Sequence, residues 1–318
     1  MIRPSRLLVP LALLLLFLLP ATPAYAIIGR HDVAAESYLQ PAGAHPAVFD
    51  IFPGNGAATL IAPEWAVTAA HVAQAIPPDG SHEVQIGAGT YQVVQVVTHP
   101  EWSGVHFHDV ALVQLSPPVS AVPPLPIYRS EDEVGQIVSL LGRGDYGDGE
   151  NGALGADGQL RAATNRVERE ESGSLWLRFD APDNEHVTEL EGVAGPGDSG
   201  GPALLEKDGE LFVVGVASFS LSLEQPAPGP GHYGIFDTYT SLARAQAWID
   251  GVLAGELVGA PAAANLASPA AATPTAVLAL AEPAGALSLS YPALVAIILA
   301  ALVIGAVLTF VLGRIRRE

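Results

Sequence analysis

Three short motifs in this sequence carry residues that together could perform acyl transfer. In chain order they are Thr68-Ala69-Ala70-His71, His108-Asp109-Val110-Ala111-Leu112 and Gly197-Asp198-Ser199-Gly200-Gly201-Pro202. A serine hydroxyl is a poor nucleophile at neutral pH, so it needs a nearby base, and the base needs a partner that fixes its tautomer. Ser199, His71 and Asp109 offer one candidate for each role. Gly197, two residues before the serine, allows backbone N–H groups to converge on a developing negative oxygen.

The three motifs resemble, in the same order, those of the trypsin/chymotrypsin family of serine proteases. The resemblance runs from about Ile27 to Leu253. It also includes Ala57-Ala58-Thr59-Leu60-Ile61, His99-Pro100-Glu101-Trp102, Gly215-Val216-Ala217-Ser218-Phe219, Tyr239-Thr240 and Trp248-Ile249. The fold of this family implies an all-β chain of two six-stranded antiparallel β-barrels of chymotrypsin type, followed by a C-terminal helix. Its activity implies cleavage of protein or peptide substrates without a cofactor.

The resemblance assigns a role to each matching residue of the motifs. His71 would be the general base and then the acid for the leaving amine, and Asp109 would orient it. Ser199 would be the acylating nucleophile. The backbone N–H groups of Gly197 and Ser199 would form the oxyanion hole.

The same carry-over identifies a group of residues for the substrate pocket. They are Val193, Ser218, Phe219, Ser220 and Asp237. Val193 stands at the position of the pocket floor, where an acid would select Arg or Lys, whereas Asp237 stands at the position of a pocket wall. The chain has no cysteine, so the bridge that braces this pocket in the family is missing. We therefore expect cleavage after either a small apolar or a basic side chain.

The elements that must position these residues are predicted to be strands. Between residues 48 and 238, short apolar runs rich in β-branched residues alternate with Gly, Pro, Asp and Asn, as in a sandwich or barrel. A Pro-rich stretch at 117–124 divides the region, which predicts an N-terminal barrel over about 27–122 and a C-terminal barrel over about 123–240. Apolar residues at helical spacing predict a helix over 241–253.

The N-terminal residues predict both export and activation. Residues 1–26 combine a basic start, an apolar run and the small-residue site Ala24-Tyr25-Ala26, which is typical of a cleaved signal peptide. In the resembled family an active enzyme begins with Ile-Val or Ile-Ile followed by Gly, and its ammonium pairs with the aspartate before the nucleophile. Ile27 and Asp198 would form this pair. Cleavage by signal peptidase after Ala26 would then itself be the activating step.

The C-terminal residues predict a membrane anchor behind a protease domain of residues 27–255. Residues 256–291 are rich in Ala and Pro with scarcely any charge, which indicates a flexible linker. Residues 292–312 are apolar and long enough to span a bilayer, and the basic tail at 313–318 favours a cytoplasmic C-terminus. Since an exported domain without cysteine is unusual for a eukaryote, we expect the protease domain to face outward from a bacterial membrane.

The charge of the exported region excludes one class of partner. The formal net charge is −19, and five of the 14 basic residues lie at the two apolar ends with one of the 33 acids, which leaves 9 basic and 32 acidic residues at 27–291. Such a surface repels nucleic acid and could attract basic substrates, although solubility alone explains it as well.

The sequence analysis assigns no metal site. His106-Phe107-His108 has a spacing that could chelate a metal, but no cysteine or carboxylate cluster accompanies it. The acid-rich stretch at 145–151 lacks the final glutamate of a helix-loop-helix calcium site and is better explained as a solvated loop.

Two other functions remain open alongside that of an endopeptidase. An esterase or acyl transferase could use the same three side chains, because an acyl-enzyme can react with several nucleophiles. A catalytically silent binding module on a protease fold is the non-enzymatic alternative. The retention of all three motifs favours an enzyme.

Overall fold

The part of the chain that the computed structural model describes, residues 27–41, 43–104, 107–224 and 227–256, consists mainly of β-strands. It begins with strand β1 (Ile27–Gly29) and a 3-10 helix at Ala35–Tyr38. The predicted signal peptide at 1–26, the linker from residue 257 onward and the apolar segment at 292–312 all lie outside these described residues. Within the described ranges, no helix is long and apolar enough to cross a membrane.

Six antiparallel strands of the N-terminal half form one sheet. They are β2 (Val48–Phe52), β3 (Gly56–Ala62), β4 (Trp65–Thr68), β5 (Glu83–Ile86), β6 (Gly89–Thr98) and β7 (Ala111–Ser116). Their order is β2-β3-β4-β7-β6-β5, and the two outer strands approach each other to close a barrel. In β5 only Val84 and Ile86 are buried, which is the period of two expected when one face of a strand covers a core.

The C-terminal half contributes nine further strands, of which six form a closed barrel. They are β8 (Ile137–Gly142), β9 (Asp145–Asp148), β10 (Gly152–Ala156), β11 (Arg161–Glu171), β12 (Ser174–Arg178), β13 (Gly192–Val193), β14 (Pro202–Lys207), β15 (Glu210–Leu221) and β16 (Phe236–Ser241). The barrel order is β11-β12-β16-β15-β14-β8. Its interior contains Leu140, Leu175, Val214 and Tyr239, all of them buried.

A four-stranded sheet, in the order β10-β9-β1-β13, attaches the start of the described chain to the C-terminal half. The sequence analysis placed residue 27 onward in the N-terminal barrel, whereas β1 pairs antiparallel with β13 and parallel with β9. The reason is apolar burial, since Ile28 is fully enclosed beside Phe179, Val193 and Ile235.

Two short α-helices complete the described fold. Helix α1 (Ala70–Ala73) follows β4, and helix α2 (Gln246–Leu253) buries Trp248 and Ile249 against the apolar core. The helix predicted at 241–253 therefore begins five residues later than expected. Ser241 ends β16 by pairing with Gly215 of β15, so its backbone groups belong to the sheet. The prediction of an all-β fold with two six-stranded barrels and a C-terminal helix is confirmed.

Candidate active site

Adjacent strands of the N-terminal barrel bring His71 and Asp109 to the same edge. Thr68 at the end of β4 pairs with Ala111 at the start of β7. His71 lies three residues after Thr68, on helix α1, and Asp109 lies two residues before Ala111. Because β4 and β7 run antiparallel, the side chains of His71 and Asp109 both lie at the edge of the N-terminal barrel that faces the C-terminal barrel.

The carboxylate of Asp109 holds the ring and the backbone of His71. Nδ1 of His71 lies 2.7 Å from Asp109 Oδ2, and the His71 N–H donates to Oδ1 at 2.9 Å. The Ser218 hydroxyl, on β15 of the other barrel, donates to Oδ2 at 2.6 Å. Burial opposes ionisation of Asp109, but the hydrogen bonds from His71 and Ser218 outweigh it and lower its pKa. An ionised Asp109 fixes the proton of His71 on Nδ1, which leaves Nε2 able to accept one.

Ser199 sits in the turn between β13 and β14, held between the two barrels. The N–H of Ala57 donates to the Ser199 carbonyl at 2.8 Å, and the N–H of Gly200 donates to the Ala217 carbonyl at 2.9 Å. Gly200 has a φ of 80°, and a Cβ there would lie 2.3 Å from the Ala57 carbonyl oxygen. Only glycine fits this turn. In the described structure the Ser199 hydroxyl and His71 are not hydrogen-bonded, and such contacts commonly tighten when substrate binds.

The backbone around Ser199 presents two unused donors. Among the described residues, no acceptor is found for the N–H of Gly197 or of Ser199. Gly197 has a φ of 96°, and a Cβ there would lie 2.4 Å from the Gly54 carbonyl oxygen. The turn is thus built from a glycine conformation that leaves the N–H groups of Gly197 and Ser199 available on either side of Asp198, as an anion-binding site requires.

The side chain of Asp198 points away from Ser199 into the protein and is only 1% exposed. Its oxygens accept hydrogen bonds from the N–H groups of Gly144 (2.6 Å) and Gly195 (2.8 Å), and the Ile27 N–H also reaches it. Burial raises the pKa of Asp198 to about 7, because these neutral donors offset only part of the lost hydration. The predicted pair of Ile27 and Asp198 is therefore in contact.

A cavity of about 150 Å³ opens beside Ser199, and Asp237 forms part of its wall. The Ala194 N–H donates to Asp237 Oδ2 at 2.6 Å, and the Ser220 hydroxyl donates to Oδ1. Burial raises the pKa of this carboxyl to about 7 as well. Ser218, Phe219 and Ser220, which the sequence analysis assigned to the substrate pocket, line the same cavity, and no Lys or Arg is found among the described residues that line it.

Residues 38–249, about two thirds of the chain, match the family model described as Trypsin. The chain belongs to the trypsin family. It is 29% identical over 255 residues to an uncharacterized peptidase of Corynebacterium glutamicum strain R, which covers 77% of this chain and 81% of that protein. The identity and both coverages are the same for a protein named "Putative peptidase Cgl1093" from strain ATCC 13032 of that species. This trypsin-family chain is a peptidase.

One residue expected in the pocket of this trypsin-family peptidase lies elsewhere. Val193 is fully buried in β13, where it packs with Ile28, Phe179 and Ile235 and does not line the cavity. Its pairing with Ile28 draws it toward the N-terminal segment. The carboxylate on the wall, Asp237, is therefore the residue that gives the cavity its charge.

The structure of the peptidase also brings together three residues that the sequence analysis left apart. The rings of His99 and His108 stack with centroids 5.0 Å apart, and Glu101 Oε2 lies 3.4 Å from His108 Nε2. His106, the other histidine considered as a chelator, lies outside the described residues. In the sequence, this cluster could have been found from two histidines and a carboxylate that lie near the two ends of one loop. The His99 N–H donates to the Val110 carbonyl at 3.0 Å, and this bond brings the two ends together.

Proposed function

We propose that this peptidase is an exported serine endopeptidase that uses Ser199, His71 and Asp109 as its catalytic triad. The single observation that supports this best is the pair of hydrogen bonds by which the buried carboxylate of Asp109 fixes His71. Such an arrangement costs conformational freedom and isolates a charge, and it contributes to catalysis by presenting Nε2 of His71 as a base.

In the proposed reaction, Ser199 Oγ attacks the carbonyl carbon of the scissile bond while its proton passes to His71 Nε2. The N–H groups of Gly197 and Ser199 stabilise the tetrahedral oxyanion. The C–N bond then breaks, and His71 returns the proton to the leaving amine, which leaves an acyl-enzyme. Water attacks this ester with His71 again as the base, which releases the acid and restores Ser199.

The wall of the cavity supports selection of a basic side chain. Asp237 is buried beside Ser199 and no described residue places a cation against it, so a Lys or Arg side chain of the substrate would supply the missing charge. With a pKa of about 7, Asp237 is partly protonated at neutral pH before a substrate cation binds. The neutral form would accept a small apolar side chain. The two preferences expected from the sequence then correspond to the two protonation states of one residue.

The environment of Ile27 supports activation by a cut directly before it. Its backbone N–H contacts the buried carboxylate of Asp198, whose other described donors are also neutral N–H groups. A free ammonium at Ile27 would form an ion pair with this carboxylate. In the continuous chain, Ile27 has a φ of 62°, which is strained for a β-branched residue. A chain that starts at Ile27 has no φ at this residue and loses the strain. Signal peptidase cleavage after Ala26 would produce this chain, and residues 292–312 would anchor it with the protease domain outside the cytoplasm.

A single set of assays on the purified protein tests the proposal. The mature protein should begin at Ile27 on N-terminal sequencing, react with a fluorophosphonate serine probe and cleave peptides from a library after Lys or Arg. Ser199→Ala should abolish labelling and turnover while the circular dichroism spectrum stays unchanged. Cleavage of esters with every peptide left intact would favour the esterase, and absence of both labelling and turnover would favour the silent binding module. A preference for acidic side chains would exclude the proposed pocket.

A further inference from the structure

Next to the catalytic aspartate, one loop gathers two imidazoles and a carboxylate. His99 follows β6, Glu101 lies two residues further, and His108 immediately precedes Asp109. One ligand atom from each of the three lies within 4.8 Å of the other two. This cluster takes no part in the proposed peptide hydrolysis, so its chemistry needs a separate explanation.

The donor set of the cluster fits a particular class of metal ion. Two histidines and one carboxylate are ligands of Zn²⁺, whose bonds of about 2.0–2.1 Å place neighbouring ligands of a tetrahedron roughly 3.4 Å apart. The Glu101 and His108 atoms are already 3.4 Å apart. Ca²⁺ and Mg²⁺ prefer oxygen ligands, so the two imidazoles disfavour them.

The cluster combines one fixed ligand with two adjustable ones. The His99 ring is buried and lies edge-on to Trp248 of α2, with ring centroids 4.9 Å apart. The side chains of His108 and Glu101 are 40% and 68% exposed, so they can rotate and close the longer separations around a metal. The Glu101 N–H donates to His99 Nδ1 over a long 3.3 Å, and a metal on the ring would replace this weak contact.

We propose that His99, Glu101 and His108 bind one Zn²⁺ ion, or a similar divalent transition metal that prefers imidazole, with the fourth position left to water. The excess of acids over bases in the surrounding domain raises the local concentration of such cations. Since His108 adjoins Asp109 and the His99 N–H bonds to Val110, the metal fastens the loop to the segment that carries the catalytic aspartate.

Isothermal titration of the full-length Ser199→Ala protein, stripped with chelator and titrated with ZnCl₂, tests this proposal. The serine exchange prevents self-cleavage without touching the cluster. We expect one Zn²⁺ per chain, with no competition from Mg²⁺ or Ca²⁺. Glu101→Gln and His108→Gln, added separately, should each weaken Zn²⁺ binding at least about tenfold, because even an outer partner of a metal ligand contributes that much. Both side chains are exposed, so both variants should fold.

Two matched controls separate this site from other histidines. His186→Gln removes an exposed histidine that also has a glutamate neighbour, Glu185, and should leave Zn²⁺ affinity unchanged. His71→Ala removes the triad histidine, whose imidazole is the alternative Zn²⁺ ligand near the cluster. This variant should also leave the Zn²⁺ affinity unchanged. Loss of Zn²⁺ uptake in His71→Ala would overturn the proposal. Equal affinities in the parent, Glu101→Gln and His108→Gln, or no uptake by the parent, would do the same.

Discussion

Asp109 and Asp198 are both buried carboxylates near the nucleophile, yet their pKa values move in opposite directions. Asp109 accepts hydrogen bonds from the ring and the backbone N–H of His71 and from the hydroxyl of Ser218, and these bonds lower its pKa although burial opposes them. Among the described residues, Asp198 has only backbone N–H donors, and burial raises its pKa to about 7. Asp237, with one N–H and one hydroxyl, behaves like Asp198. The directions of these pKa shifts distinguish Asp109, whose donors stabilise its negative charge, from Asp198 and Asp237, whose donors do not outweigh the effect of burial.

Neutral dipoles therefore satisfy the geometry of Asp198 and Asp237 but not their charge. A buried carboxylate is stabilised in its ionised form when a cation or a sufficient set of donors replaces its lost hydration. At Asp198 the proposed cation is the ammonium of Ile27, which belongs to the protein. At Asp237 it is the side chain of the substrate, which arrives and leaves.

The largest effect is expected from neutralising the carboxylate that already has its partners. Asp109→Asn keeps the shape of the site, but its amide favours the wrong tautomer of His71, so kcat should fall about 10⁴-fold, as described for this exchange in triads of this type. Active-site titration followed by steady-state kinetics measures the loss. A fall of less than tenfold would mean that Asp109 does not orient the base.

A smaller loss is expected when the proposed partner of Asp198 is displaced. One alanine inserted between Ala26 and Ile27 moves the ammonium away from the carboxylate, which leaves the turn at Gly197 without its support. We expect kcat to fall about 10²–10³-fold, the scale of a lost oxyanion donor. N-terminal sequencing must confirm the extra residue. Ile27→Val, which keeps the ammonium in place, should retain activity, and full activity of the extended protein would refute the pairing.

Asp237→Asn tests whether the third carboxylate waits for a substrate cation. The ratio of kcat/KM for a Lys substrate to that for an Ala substrate should fall at least about 100-fold, because an unpaired buried charge costs about 3–5 kcal/mol. Matched peptides that differ only at this residue provide the measurement. If the ratio does not change, Asp237 does not face the substrate.

The pH dependence of the same ratio follows from the sign of the shift. Burial raises the pKa of Asp237 from its ordinary 3.8 to about 7 in the free protein, so the carboxyl becomes negatively charged only as the pH rises through about 7. The preference for Lys over Ala should therefore increase by up to about tenfold per unit below pH 7 and level off above it. Taking a ratio cancels the pH effects that are common to both substrates. In Asp237→Asn the ratio should be flat.

The smallest effect is expected from the hydrogen bonds that hold His31, four residues after Ile27, to Tyr233. The Tyr233 hydroxyl accepts a hydrogen bond from the His31 N–H at 3.0 Å and lies 2.8 Å from His31 Nδ1. Tyr233→Phe keeps the ring packing on Phe179 and removes these bonds. We expect the free energy of unfolding to fall by about 0.5–1.5 kcal/mol in urea titrations, with kcat nearly unchanged. A loss of activity as large as that of the N-terminal extension would show that Tyr233 acts on Asp198.

The parts of the fold and site that sequence reasoning predicted are those with a local physical signature. The strands follow from alternating burial and turn residues, and the three motifs follow from what acyl transfer requires of a base, its partner and a nucleophile. Asp237 was identified as a wall residue through the family resemblance, in which Tyr239, two residues away in the same strand, fixes its position. In each case the information resides in residues close together in the chain.

The parts that were missed depend on distant contacts. Residues 27–29 carry no sign of whether they pair with the first or the second half, and the start of α2 depends on β15 claiming the backbone of Ser241. Val193 leaves the pocket because Ile28, far away in sequence, pairs with it. His99 and His108 meet through the closure of a loop, which no periodicity reveals.

The carboxylate of Asp109 has a further consequence, because it is held from both barrels at once. His71 reaches the carboxylate from the first barrel and Ser218 of β15 reaches it from the second, while the hydroxyl of Thr240 of β16 donates to the backbone carbonyl of Asp109 at 3.1 Å. No cysteine bridge ties the two halves together. Turnover is thus a direct reporter of docking, because parting the halves separates His71 and Asp109 from Ser199. A nick in the 117–124 connection would leave two fragments that are inert alone and regain activity only by reassociating.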